Sequence, residues 1–112
     1  MTRYLISFDD GSMTFPDEDL PEVSDAAHRV VREAKAAGVW IFGGGLMSQR
    51  ASIVDTDGTI ADGPYPETKA VIGGFSILDV PSRDEALAWA AKTATACRCA
   101  QEVREIMYDP ES

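Results

Sequence analysis

The sequence predicts an α+β fold of the ferredoxin-like type, with the order βαββαβ and an extra hairpin. Three observations lead to this fold class. Short apolar segments rich in β-branched and aromatic residues alternate with two longer segments whose apolar residues recur at helical spacing. Asp57-Gly58 is a strong hairpin signal. The strands carry apolar residues on both faces, which predicts a pairing surface. With no repeat and no linker, residues 1–112 are expected to form a single domain.

The first half of the chain predicts a strand, a helix and a second strand. The first strand covers residues 3–8, and the helix begins between Asp19 and Ser24. Asp19 and Glu22 resemble a capping box, and Ser24 is the alternative N-cap. Gly38 is placed to end the helix. Residues 39–47 form the second strand. The apolar stripe of the helix is expected to consist of Val23, Ala27, Val30, Val31, Ala34 and Ala37.

Glycine-rich segments lie within the second strand and at the start of the strand that follows the hairpin. Gly43-Gly44-Gly45 is interpreted as a bent or bulged strand, because neither a P-loop lysine nor a helix follows it. Residues 51–56 and 59–61 flank the hairpin turn. Residues 72–80 form the next strand, where Gly73-Gly74 predicts a bulge or a close backbone approach.

The end of the chain predicts the second helix and the last strand. Ser82 and Glu85 form a capping box at the start of the helix. Residues 102–108 are expected to be the closing strand, followed by a frayed polar tail. The apolar stripe of this helix is expected to consist of Ala86, Leu87, Ala90, Ala91 and Ala94.

A stiff loop between the hairpin and the third strand of the main sheet carries most of the candidate functional residues. Pro64 and Pro66 restrict its backbone. One interpretation is a polar rim around a ligand pocket; the other is that these side chains stabilise the turn and the dimer seam. Asp79, near the end of an apolar strand, is a further candidate, pointing either to a backbone donor or into a cavity. The loop candidates are Asp62, Tyr65, Glu67 and Lys69.

The loop and the segments around it resemble the YCII-related family, in its branch with a DGPF-type loop. The matching segments are Tyr4-Leu5-Ile6, DGPYPETK at 62–69, Gly73-Gly74-Phe75, EALAWAA at 85–91 and Glu102-Val103-Arg104. Tyr65 replaces the usual Phe, and Ala70 stands where the branch often has a second acid. The resemblance implies a subunit that pairs as a dimeric α/β barrel, and it implies no settled activity. It permits a link to sigma-factor-type transcription regulators.

Composition limits the possible partners. The sequence has 19 acidic against 10 basic residues and a net charge of −9. Nucleic acids and anionic membranes attract basic patches, so we expect no direct contact with either. No apolar run approaches the length of a membrane span, and the N-terminal segment has no signal-peptide core, so the expected location is the cytoplasm.

A homodimer is expected because two helices cover only one face of a sheet. A sheet with its other face in water alternates apolar and polar residues, whereas these strands are apolar on both sides. Tyr4, Ile6 and Phe8 oppose Leu5, and Trp40 and Phe42 are expected to share one face. Pairing of two identical sheets is the simplest way to cover the second face.

Histidine and cysteine offer little for catalysis or metal binding. His28 is the only histidine, and its helical phase places it on the solvent side of the first helix. In other branches of the resembled family a His–Asp pair is the suspected catalytic couple, but the segment matching its aspartate, 93–97, has no acid. Cys97 and Cys99 are interpreted as reduced thiols, with a redox pair as the alternative. No metal site and no cofactor are expected.

These observations leave three functional hypotheses. The first is a homodimeric module that binds a small molecule or serves a regulatory partner, with a pocket rimmed by the loop at 62–69. The second is a small cofactor-free enzyme of lyase or oxygenase-like type, as other dimeric α/β barrels are, using Tyr65, Lys69 or Asp79 as acid–base groups. The third is a subunit that only stabilises a partner and has no pocket.

Overall fold

The computed structural model describes residues 1–47, 51–62 and 72–112. Tyr65, Glu67 and Lys69 lie outside the described residues. A short 3₁₀ turn, Asp17–Asp19, precedes the first helix. In chain order the elements are β1 (Thr2–Asp9), α1 (Leu20–Ala36), β2 (Trp40–Gly45), β3 (Ser52–Val54), β4 (Ile60–Asp62), β5 (Ile72–Val80), α2 (Arg83–Cys97) and β6 (Glu102–Glu105).

The main sheet has the strand order β2-β5-β1-β6, and every neighbouring pair is antiparallel. This is the order of a ferredoxin-like βαββαβ sheet, and the predicted α+β fold class is confirmed. The extra hairpin, β3 and β4, forms a separate two-stranded sheet. It makes no extensive contact with any other helix or strand that the structure describes.

The core lies between one face of the sheet and both helices. Tyr4 is the direct register partner of Leu78, so both side chains point to the same face. Ile6 and Val80 are the most deeply buried large side chains, at 1% and 0% exposure. The helices contribute mostly small residues, which lets them pack close to the sheet. The buried core consists of Tyr4, Ile6, Ala34, Val39, Leu78, Val80, Ala86 and Ala90.

The opposite face of the sheet, which we call the open face, is covered by neither of the two helices in residues 1–47, 51–62 and 72–112. Arg3, Leu5 and Ser7 of β1 lie opposite Asp79, Ile77 and Phe75 of β5, and so share this face. Phe42 of β2 joins them, with its ring centroid 5.9 Å from that of Phe75. Phe42 is 62% exposed, whereas Leu5, Phe75 and Ile77 are half-buried. The predicted second apolar face is therefore present.

The prediction that Trp40 and Phe42 share a face is wrong. The register shifts between these two residues, so that Trp40 pairs with Leu78 and Phe42 with Ile77. From Trp40 to Phe42, strand β2 advances by two residues while β5 advances by one. This is a β-bulge, and it moves every following side chain of β2 to the other face of the sheet. Trp40 consequently packs against the core cluster and Phe42 faces outward.

The first helix begins where predicted, but not by the predicted cap. Asp19 is the residue before α1, has helical backbone angles and makes no side-chain cap bond. Its carboxylate instead accepts a hydrogen bond from Arg98, with 2.9 Å between Nη1 and Oδ2. Ser24, the alternative cap, lies inside the helix. The stop at Gly38 is confirmed, since this residue has φ of +76°, where L-residues are strained.

The second helix begins as predicted, because the Ser82 side chain accepts a hydrogen bond from the Glu85 backbone N–H at 3.2 Å. Strand β6 is shorter than the predicted 102–108. It pairs with Ser7 to Tyr4 of β1 and ends at Glu105, after which the Ile106 N–H still donates to the Arg3 carbonyl at 2.9 Å. The rest of the tail then leaves the sheet edge. Strand β2 likewise ends at Gly45, before the predicted Met47.

The hairpin turn forms at the predicted Asp57-Gly58, with one more residue in the loop. Asp55 pairs with Thr59 across the turn, and the Gly58 N–H donates to the Asp55 carbonyl at 2.9 Å. Gly58 has φ of +88°, which fits a three-residue loop closed by a left-handed glycine. The Asp57 carboxylate accepts from the Thr59 N–H at 2.9 Å, and hydrogen bonding to Thr59 lowers the pKa of Asp57.

Gly43 provides a test of the β2–β5 register. A Cβ atom at Gly43 would lie 2.6 Å from the Phe75 carbonyl oxygen, whereas one at Gly45 would meet nothing within 4 Å. We expect Gly43→Ala to lower the free energy of unfolding by about 1–3 kcal/mol, because the crowding atoms are backbone. Gly45→Ala, on the same face, is the matched control. Urea unfolding of both variants measures the difference, and equal midpoints would show that the register is wrong.

Candidate functional site

The predicted site residues that the structure describes lie in different parts of the fold. Asp62 ends β4 in the hairpin, and Asp79 lies one residue before the end of β5. Asp79 is seven positions along the strand from Ile72, the first described residue after the loop, which corresponds to about 23 Å at roughly 3.3 Å per residue. Asp79 is therefore at the end of β5 that is remote from the start of the strand.

Asp62 is held within its hairpin. Its Oδ1 accepts a hydrogen bond from the Ser52 hydroxyl at 2.5 Å, and Ser52 is its register partner across the two strands. Both residues are exposed. The side chain of Asp62 thus has a local structural partner, and its proposed contribution to a ligand rim stays a prediction, together with that of Tyr65, Glu67 and Lys69.

Among the candidate residues that the structure describes, Asp79 has a buried side-chain oxygen without a hydrogen-bond partner. This oxygen is Oδ1, and it has no hydrogen-bond partner among the residues that the structure describes. Its backbone N–H donates to the Val39 carbonyl at 2.8 Å, which fixes the main chain at this point. A buried carboxylate oxygen without a donor is costly. The Asp79 side chain also lines a cavity, and its role as a ligand-binding residue stays a prediction.

The cavity at Asp79 has a volume of about 380 Å³ and is built from three segments of one chain. The start of β1 contributes Thr2 and Arg3, β5 contributes Asp79, and residues of the tail from Ile106 to Ser112 form the remaining wall. The tail is folded back on itself, because the Asp109 carboxylate accepts from the Glu111 N–H at 2.9 Å. The volume falls within the range of small-molecule sites.

A second, more open cavity of about 510 Å³ lies between the helices. Its charged groups are already paired, with 3.0 Å between Lys92 Nζ and Glu33 Oε2. Lys92 also lies over the Trp89 ring, 4.9 Å from its centroid. Since the charges in this cavity satisfy each other, it is the weaker candidate for a ligand.

Histidine chemistry is not supported at any described cavity. His28 is exposed on α1, as its helical phase predicts, and its Nδ1 lies 3.4 Å from the Ser24 hydroxyl.

Within the described ranges no three His, Cys, Asp or Glu side chains cluster in a way that would hold a metal ion. No helix in the same ranges is both long and apolar enough to cross a bilayer.

Two other groups have perturbed pKa values. Burial, reinforced by a hydrogen bond to the Glu105 carboxylate at 3.2 Å, raises the pKa of Tyr4. Burial also raises the pKa of the Cys97 thiol, with a smaller contribution from Cys99. Both cysteines are free, Cys97 buried and Cys99 half-buried. These shifts belong to the core and do not mark a reactive site.

The sequence suggested Asp79 as a candidate but suggested neither Arg3 nor the tail, which line the same cavity. Arg3 faces Asp79 only because these two residues are register partners. That pairing depends on the antiparallel alignment of strands far apart in the chain. The sequence offered two signals for this pairing: an arginine at the start of one apolar strand and an acid near the end of another.

Comparisons with known proteins give a family and a structural neighbour. A family model described as "YCII-related domain" matches residues 3–108. The fold is similar to that of 5-chloro-2-hydroxyhydroquinone dehydrochlorinase from Burkholderia phenoliruptrix AC1100, in complex with 2,5-dihydroxybenzoquinone. The TM-score is 0.56 at 17% identity, over 99% of this chain and 98% of that chain. No curated protein matches the sequence.

The two cysteines are expected to differ in reactivity. Alkylation requires the thiolate, so the raised pKa and the burial of Cys97 both slow its reaction. At pH 8, iodoacetamide should modify Cys99 first, with Cys97 following only as the protein opens. Peptide mass spectrometry of a time course measures both rates, and Cys99→Ser isolates that of Cys97. Equal rates in the native protein would instead support a reactive pair.

Proposed function

The chain belongs to the YCII-related family, and on this premise we propose that it is a homodimeric protein that binds a small molecule, with two copies packed open face to open face. The observation that carries the proposal is the uncovered apolar face of the main sheet. Both helices pack on the other face, while Phe42, Phe75 and Ile77 remain for a partner. The cytoplasm is the proposed location.

Burial of the apolar side chains on the open face would favour association. Covering about 500 Å² of apolar surface at about 25 cal/mol per Å² is a gross gain of about 12 kcal/mol. Association costs roughly 4–15 kcal/mol in lost rotational and translational freedom, so the area must be well packed to give a stable dimer. The tilted Phe42–Phe75 pair provides an aromatic anchor of the kind that dominates interface energies.

The hairpin gives a second reason to expect a partner copy. An isolated two-stranded hairpin is at best marginally stable in water. This one exposes Ile53, Val54 and Ile60 at 40%, 64% and 64%. A second copy of the chain would supply a surface on which these side chains could pack, and the hairpin would then extend the interface beyond the sheet.

Small-molecule binding is proposed from the cavity at Asp79 and from the neighbour. The dehydrochlorinase of similar fold was solved in complex with 2,5-dihydroxybenzoquinone. We propose that the loop at 62–69 forms the rim of a ligand site in the dimer, with Tyr65 and Lys69 available to an anionic or phenolic ligand.

The alternative is a small enzyme that needs no cofactor. The neighbour's name as a dehydrochlorinase favours this alternative. In such an enzyme, Tyr65, Lys69 or Asp79 would transfer a proton during an elimination or oxygenation.

The dimer is tested by placing a charge on the open face. Phe42→Asp puts a carboxylate in the proposed interface, where it would lose its hydration, so we expect at least a hundredfold weaker association. Leu20→Asp is the matched control, because Leu20 is 57% exposed at the start of α1, away from the open face. Light scattering after size exclusion measures the mass of each variant. Dissociation of both variants, or of neither, would contradict the interface.

The role of the loop is tested with Lys69→Ala and Tyr65→Phe. A ligand that binds the native state raises the melting temperature, so a thermal-shift screen of phenols, quinones and small carboxylates identifies candidates. We expect the two variants to keep the dimer and to lose at least tenfold in affinity for any ligand held by the loop. Turnover of that ligand, lost in the same variants, would favour the enzyme. Unchanged binding in both variants would remove the loop from the site.

A further inference from the structure

We propose that the cavity lined by Asp79, Arg3 and the C-terminal tail is a binding site for a small apolar α-amino acid. Asp79 would accept the ligand's ammonium group, and Arg3 its carboxylate. This inference names a site and a ligand class for the small-molecule binding proposed above and rests on that proposal. It depends on neither Tyr65 nor Lys69, so the two can be tested separately.

The group that would accept hydrogen bonds from the ligand's ammonium is the Asp79 carboxylate. Asp79 Oδ1 is buried and has no donor among the residues that the structure describes, and the Asp79 side chain lines the cavity. No ion pair involving Asp79 is formed within the described ranges, so its negative charge is available to a charged donor. An ammonium group has up to three N–H donors, which it would offer to this carboxylate from the cavity.

The donor side of the site is Arg3. It is the register partner of Asp79, so the Cβ atoms of the two residues are expected to be about 4.5–5.5 Å apart on the same face. The Arg3 guanidinium makes no ion pair with any described residue. A cation and an anion side by side, neither satisfied by the other, match a zwitterion whose two charged groups are separated by one carbon atom.

Part of the remaining wall offers apolar contact to a ligand side chain. Ile106, Met107 and Pro110 of the tail line the cavity, together with polar residues that include Asp109 and Ser112. A volume of about 380 Å³ accommodates an amino acid of moderate size together with water. Recognition of both charged groups by Asp79 and Arg3, with apolar contact along the tail, would discriminate against longer peptides, in which the ammonium and the carboxylate are on different residues.

The test is isothermal titration of the full-length protein with L-leucine, L-valine and L-methionine. We expect at least one of them to bind, and we expect Asp79→Asn and Arg3→Gln each to weaken that binding at least tenfold. Asp25→Asn and Arg32→Gln, which make the same charge changes on the exposed side of α1, should bind as the wild type does. N-acetyl-L-leucine, which lacks the ammonium group, and L-leucinamide, which lacks the carboxylate, should not bind the wild type.

The ligand analogues keep the test decisive even if a variant fails to fold. Absence of binding by all three amino acids would overturn the inference, as would equal binding of L-leucine and N-acetyl-L-leucine. It would also be overturned if Asp79→Asn changed only the association of the subunits, since Asp79 would then contact the second copy. If Lys69→Ala and Tyr65→Phe abolish binding of a ligand while Asp79→Asn does not, the inference fails and the proposed function stands.

Discussion

The structure depends on an imbalance between the area of one sheet and the helices available to cover it. Helices α1 and α2 lie side by side on a single face, where Ala34, Ala86 and Ala90 allow them to approach the strands closely. The other face is left with a leucine, an isoleucine and two phenylalanines. In a monomer these side chains would remain in contact with water. Pairing of two sheets removes that cost, and it would also turn the ends of the strands into the walls of a shared interior.

Much of the fold could be predicted from the sequence because the relevant signals are local. The helix stop at Gly38, the cap at Ser82 and the turn at Asp57-Gly58 each depend on neighbours within a few residues, and each is present in the structure. Apolar residues on both faces of the strands also indicated an uncovered face correctly. The family resemblance, which covers nearly the whole chain, agrees with these signals.

The errors arise where tertiary contacts override local preference. Asp19 has the sequence of a helix cap, but Arg98, 79 residues later, takes its carboxylate. Trp40 and Phe42 follow the alternation of a regular strand, but a bulge against β5 separates them. The register pairing of Arg3 with Asp79 likewise depends on the alignment of β1 with β5. The cavity that both residues line also depends on the tail that closes it. No window of local sequence contains that information, which is why Arg3 and the tail were not predicted to line a cavity with Asp79.

The claim that a second copy covers the open face is tested most directly by sedimentation equilibrium of the unmodified protein at micromolar concentration. Pairing predicts twice the chain mass of 12.1 kDa, with a mass that falls toward this value only on strong dilution. A mass of 12.1 kDa at every concentration would contradict it.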